Sequence, residues 1–120
     1  MSESNVRLHE LLDYIRGGRI MDAMNEFYAD EVVMQEPAYG KTEGLQANLE
    51  REEKFVASVK EFKGFETPAV AVGEGVGIYE NVMDWVDTEG KDIHVEQTVV
   101  QHWNSDGKIT HERFYYDTGG

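Results

Sequence analysis

DWVDTEGKDIHVEQTVVQHWNSDGKITHERFYYD, residues 84–117, is the stretch whose reading decides the fold. It holds nearly the same phrase twice. Asp87-Thr88-Glu89-Gly90-Lys91 and Asn104-Ser105-Asp106-Gly107-Lys108 each place a glycine where a left-handed residue closes a hairpin. Around these turns lie extended runs rich in Val, Ile, Tyr and Trp: Gly77 to Val86, Ile93 to Trp103 and Ile109 to Asp117. Three strands joined by two tight turns make an antiparallel meander.

Upstream, Phe65 to Val72 reads as one more strand, and Gly73, Gly75 and Gly77 supply a bend that lets the sheet curve. Before Gly64 the period is helical. Val6, Leu8, Leu11, Leu12 and Ile15 recur at helical spacing over Glu3 to Arg16, and Gly17-Gly18 stops that helix. Ile20, Ala23, Met24 and Phe27 mark a second, short helix over Arg19 to Tyr28. Glu31 to Gln35 reads as a strand ended by Pro37. Thr42 is placed to cap a longer helix running to about Phe62. The order α-α-β-α-β-β-β-β predicts one α+β domain over residues 1–120. Its N-terminal helices pack on a curved, mainly antiparallel sheet that curls around a small-molecule pocket.

Bulk properties narrow the partners. The 120 residues hold 24 acids against 11 bases, a net charge of −13. That disfavours nucleic acid, which needs a basic footprint, and an anionic membrane surface. The absence of Cys removes thiol nucleophiles and Cys-based metal sites. No apolar run approaches the ~20 residues of a membrane span. A cytoplasmic location is the default expectation.

Three phrases, in this order and spacing, carry a family resemblance. They are Phe27 through Pro37, then Gly40 to Gly44 before a helix, then Asp106-Gly107-Lys108-Ile109 through Arg113-Phe114-Tyr115-Tyr116-Asp117. Together with the helical start, they make the chain resemble the SnoaL-like branch of the nuclear transport factor 2-like superfamily. The resemblance implies a cone-shaped α+β barrel with a pocket between bent sheet and helices. It covers polyketide cyclases, ketosteroid isomerase, limonene epoxide hydrolase, scytalone dehydratase and non-catalytic binding proteins, so it does not by itself assign a function.

Turns closing on Gly90 and Gly107 set a strand register. They pair Asp84 with His94 and Val82 with Glu96, then His102 with Thr110, Val100 with Glu112 and Thr98 with Phe114. One face then carries Glu80, Val82, Asp84, His94, Glu96, Thr98, Val100, His102, Glu112, Phe114 and Tyr116. The other carries Tyr79, Met83, Trp85, Ile93, Val95, Val99, Trp103 and Ile109. Hydropathy alone turns the second face inward. The resemblance turns the first inward, because the family's pocket positions on the last strand fall on Glu112, Phe114 and Tyr116. Following the resemblance leaves Trp85, Val95, Val99 and Trp103 outside, where a homodimer would cover them. A two-residue turn would instead bring Val95, Gln97, Val99 and Gln101 into the pocket.

The resemblance also supplies candidate chemistry. Glu36, before Pro37, occupies the place of the isomerase's carboxylate base; an exposed loop acid is the plain alternative. The isomerase's helix-borne tyrosine falls on Leu11, with Tyr14 one turn away, and its second oxyanion donor falls on Val99 or Val100. True ketosteroid isomerisation is therefore disfavoured. The acid that cyclases and the epoxide hydrolase carry on the last strand falls on Phe114, and Glu112 stands two places earlier. The epoxide hydrolase's Arg and Asp fall on Val82 and Asp84, so the acid is kept and the Arg lost.

Catalytic candidates are thus Glu36, Asp84, Glu112 and His102, the last as a proton carrier near neutral pH. Tyr14, Leu11, Val82, Glu96, Thr98, Val100, Phe114 and Tyr116 are expected to line the ligand pocket. His94-x-Glu96 opposite Asp84 matches no named metal motif, and a structural histidine is the commoner reading. Neither a metal nor a cofactor is expected. The resemblance implies an isomerase, cyclase or hydrolase acting by carboxylate chemistry on a small, apolar, oxygenated molecule. A non-catalytic ligand-binding domain of the same fold is the alternative.

Overall fold

The computed structural model describes residues 3–117, so the outermost residues of the expected 1–120 domain lie outside what is described. The chain forms helices α1 (Glu3–Arg16), α2 (Ile20–Phe27) and α3 (Leu45–Ala57). Its strands are β1 (Tyr28–Glu36), β2 (Gly40–Glu43), β3 (Val59–Gly73), β4 (Val76–Asp87), β5 (Asp92–Trp103) and β6 (Ile109–Tyr115). The six strands make one curved, open sheet in the order β2-β1-β6-β5-β4-β3. Only β1 and β6 run parallel; every other neighbour is antiparallel.

Both glycine turns form as the sequence predicts. Gly90 and Gly107 sit at φ +82° and +73°, a conformation that side chains disfavour. In each turn the leading Asx side chain accepts two backbone N–H groups. Asp87 takes those of Glu89 and Lys91, and Asn104 those of Asp106 and Lys108, all at 2.9–3.0 Å. The β4–β5 register is the expected one, with Asp84 opposite His94 and Val82 opposite Glu96.

The β5–β6 register departs from expectation after its first pair. Trp103 lies opposite Ile109 as the turn dictates, but His102 then faces His111 and Gln101 faces Glu112. Thr110 is an extra residue, and its hydroxyl donates to the His102 carbonyl at 3.3 Å. This β-bulge advances β6 by one residue, and with period-two alternation one residue exchanges the faces. Tyr79, Met83, Trp85, Val95, Val99 and Trp103 therefore face inward, as hydropathy alone indicates. Glu112, Phe114 and Tyr116 also lie inside, as the resemblance implies.

Trp85 and Val95 line the interior, while Val99 and Trp103 are buried in the core at 0% and 6% exposure. This chain's own helices and sheet thus give Val99 and Trp103 the cover that the sequence reading assigns to a homodimer partner. Leu8, Leu11 and Leu12 of α1 and Met24 and Phe27 of α2 are buried in the same core as Val32, Val99 and Ile109. Each such side chain contributes about 1.5–3 kcal/mol relative to exposure. Gly77 makes the closest approach possible at the narrow end: a Cβ there would lie 3.0 Å from Leu8 Cδ2 and 3.4 Å from Trp103 Nε1.

Two elements differ from expectation between residues 40 and 64. The segment Gly40–Glu43 pairs with β1 as a short strand, so Thr42 caps nothing and Gly44 precedes α3 instead. Asn48, fully buried, ties this entry down by donating to the carbonyls of Thr42 and Gly44. The helix ends at Ala57 rather than Phe62, because Val59 onward pairs with β4. Here pairing across the sheet overrides a helical stripe. Pro68 is accommodated where the β3–β4 register slips between Glu66 and Ala69.

Candidate functional site

The concave side of the sheet and the three helices line a half-open cavity of about 840 Å³. Apolar walls come from Leu11 and Met24 on the helices and from Phe65, Met83, Trp85 and Phe114 on the strands. Phe55 of α3 packs edge-on against Trp85, with ring centroids 5.2 Å apart. Two polar clusters interrupt this lining.

The deeper cluster centres on Glu112 of β6, which is 1% exposed. The bulge at Thr110 turns it inward. Tyr28, at the start of β1, donates its hydroxyl to the carboxylate, 2.7 Å from each oxygen. Gln101, opposite on β5, donates its side-chain N–H to the same group. Burial pushes the Glu112 carboxyl up to about 7, against the two hydrogen bonds that favour its charged form. Tyr28 and Tyr79 are pushed well above the ordinary phenol value, first by burial and then by the nearby Glu112 charge.

The second cluster joins β1, α3 and the residue beyond β6. Glu36 binds Arg51 Nη1 at 2.6 Å and accepts the Tyr116 hydroxyl at 2.9 Å. Its side chain is 13% exposed and that of Arg51 22%, so the ion pair is largely removed from water. Arg51 also reaches Asn48 Oδ1 at 3.4 Å. Burial and the Glu36 hydrogen bond push the Tyr116 phenol up to about 12. Glu52 is pushed up by burial, with Arg51 opposing that shift.

The structure thus brings Glu36, Glu112, Leu11, Phe114 and Tyr116 together around one cavity. It places the other candidates elsewhere. Asp84, Val82, Glu96, Thr98, Val100 and His102 lie on the convex face, because the face assignment of β4 and β5 is the reverse of the one taken from the resemblance. There His94 is bonded at both ring nitrogens, to Asp84 at 2.6 Å and Glu96 at 3.0 Å, and these bonds raise its pKa. His102 packs edge-on to His111, with ring centroids 5.7 Å apart. Tyr14 packs against Phe27 with the Arg19 guanidinium over its ring, outside the cavity. Among the described residues, no three His, Asp or Glu side chains converge as metal ligands.

Arg51, Tyr28 and Asn81 are polar cavity or site residues outside the candidates drawn from the sequence, and Gln97 and Gln101 enter it only under the alternative two-residue turn. The amides carried a signal. Asn81, Gln97 and Gln101 interrupt an otherwise apolar alternation on β4 and β5, and a buried amide in such a row needs a partner. Arg51 carried none, sitting among the charges of a helix.

A SnoaL-like domain model matches residues 2–116, nearly the whole chain. The chain belongs to the SnoaL-like family. Solved structures share the fold at low identity. One is a nuclear transport factor 2-like protein from Burkholderia pseudomallei: TM-score 0.84, 12% identity, 98% of this chain and 93% of that one covered. Another, from Mesorhizobium loti, is assigned as a SnoaL-like polyketide cyclase: TM-score 0.77, 19% identity, 97% and 100% covered. SalBIII, an epoxide hydrolase/cyclase-like enzyme in pyran ring formation in the polyether salinomycin, has TM-score 0.80 at 16% identity, with 97% and 92% covered. No protein of curated function matches the sequence. Among the described residues of this SnoaL-like domain, no helix is long and apolar enough to cross a membrane.

Proposed function

We propose that this SnoaL-like protein is an acid–base enzyme that needs no cofactor: an isomerase, cyclase or hydrolase acting on a small, largely apolar, oxygen-bearing molecule. The observation that carries this reading is Glu112. It is a carboxyl buried at the cavity wall, held by two donors, with a pKa near 7. A group poised there exists in both protonation states at neutral pH, which suits it to take a proton from one substrate atom and return it to another.

Tyr28 and Gln101 fix the carboxylate's orientation, so proton transfer requires little rearrangement of the site. Glu36, tied to Arg51 and Tyr116, is the secondary polar contact. Its ion pair with Arg51 and its hydrogen bond from Tyr116 hold it in place, which suits it to orienting a substrate hydroxyl. Relatives of the same fold that include a polyketide cyclase assignment and a pyran-forming enzyme support an oxygen-rich substrate. The predominantly apolar walls support a hydrophobic frame around those oxygens.

The test is a pH–rate measurement over a panel of ketones, lactones and epoxides. Turnover that changes with an apparent pKa near 7, and that Glu112→Gln abolishes, is the expected result. Silence across the panel, with ligands still bound, favours a binding protein. Turnover that survives Glu112→Gln removes Glu112 from the chemistry.

A further inference from the structure

Two buried polar groups on β4 have no part in the chemistry assigned to Glu112. Asn81 is 2% exposed and Tyr79 3%, and both line the cavity. Gln97 lies opposite Asn81 on β5 and donates Nε2 to the Asn81 carbonyl oxygen at 3.3 Å. That bond sets the amide's direction. Its oxygen is committed to the neighbouring strand, and its NH2 has no protein acceptor among the described residues. The Tyr79 hydroxyl likewise has no protein hydrogen bond among them. Burial beside Glu112 keeps that phenol protonated, and therefore a donor. Both residues line the cavity, where water or a ligand oxygen can accept from these donors.

We propose that Asn81 and Tyr79 form a donor pair that anchors one oxygen of the ligand, with Gln97 as the positioning residue that aims the Asn81 amide. The oxygen is a neutral carbonyl or phenol oxygen on an apolar frame that matches the apolar walls. Glu36, Glu50, Glu52 and Glu112 line the same space with Arg51 and Lys54, so an anionic ground-state ligand would meet net repulsion. The proposal rests on the acid–base reading in one respect: anchoring the oxygen on β4 presents the adjoining atoms to Glu112. During proton abstraction beside a carbonyl, the two donors would also meet the developing charge.

Binding of 2-naphthol and of 2-methylnaphthalene, in which a methyl replaces the hydroxyl, tests the anchor in the full-length protein by equilibrium dialysis. The wild type is expected to favour 2-naphthol by about tenfold or more, the scale of one or two hydrogen bonds in a buried site. Asn81→Ala is expected to remove about tenfold of 2-naphthol affinity while leaving 2-methylnaphthalene affinity unchanged. Gln97→Met is expected to reduce the same preference without altering Asn81. Tyr79→Phe, which changes no carbon volume, keeps the test decisive if Asn81→Ala fails to fold. Equal losses for both ligands, no loss, or no wild-type preference would overturn the proposal.

The two readings fail separately. If the catalytic panel is silent while the hydroxyl preference is lost on Asn81→Ala, the anchor stands and acid–base catalysis falls. If turnover depends on Glu112 while Asn81→Ala and Tyr79→Phe leave the preference intact, only the anchor falls.

Discussion

Replacing Glu112 by Gln isolates the cost of burying an ionised carboxyl at the cavity wall. The carboxyl moves from an ordinary value of 4.5 to about 7 in the folded protein. Below pH ~4.5 both folded and unfolded states are protonated and the group is silent. Between there and pH ~7 the native state keeps a proton that the unfolded chain releases, so stability falls as pH rises. Above pH ~7 the loss is complete and amounts to about 3 kcal/mol. Glutamine is nearly isosteric and neutral throughout, and its carbonyl can still accept from Tyr28 and Gln101.

Urea unfolding of both proteins at closely spaced pH values reads this out, because every other titrating group cancels in the difference. The variant should gain about 3 kcal/mol on the wild type between pH 4 and pH 8. Parallel curves would refute the argument. So would a wild type that gains on the variant at high pH, which would mean that the two donors outweigh burial and hold Glu112 ionised.

Tyr28→Phe removes one donor from the charged carboxylate, so the Glu112 titration, followed by the pH dependence of rate or by NMR, should move upward by roughly one pH unit. A downward move would contradict the assignment. Arg51→Met strands Glu36 at 13% exposure. A stability loss of about 1–3 kcal/mol by urea titration is expected, and Glu36→Gln in the same background should recover part of it. Gly77→Ala forces a Cβ to 3.0 Å from Leu8. It should cost about 1–3 kcal/mol and lower Tm, whereas a neutral effect would show that α1 yields at that point. Asp84→Asn and His102→Gln, on the convex face, should leave turnover of any panel substrate unchanged; a loss of rate at either would place chemistry outside the cavity.

Much of the site was legible residue by residue. Glu36, Glu112, Phe114 and Tyr116 were singled out from the chain, and all four line one cavity. Asp84 and His102 were not separable from them by the same reasoning. Each is a titratable group on a strand that borders the cavity, and only the side of the sheet it occupies distinguishes it. Tyr28 and Arg51 were invisible for a different reason. Their roles come from partners 84 and 15 residues away, and nothing in their neighbourhoods marks either as polar and buried.

The turns, the strands and their order are local properties. Two Asx-led phrases ending in left-handed glycines, and a change of period after Gly64, determine them wherever the chain goes. The face that each strand turns to the cavity is not local. It depended on Thr110, one residue inserted opposite His102, which brought Glu112 to the same side as Val99 and Gln101. Alternation has a period of two, so a single extra residue reverses every side chain beyond it. No turn or propensity records that residue; it forms because both β6 and β5 must bury their apolar rows under the same helices.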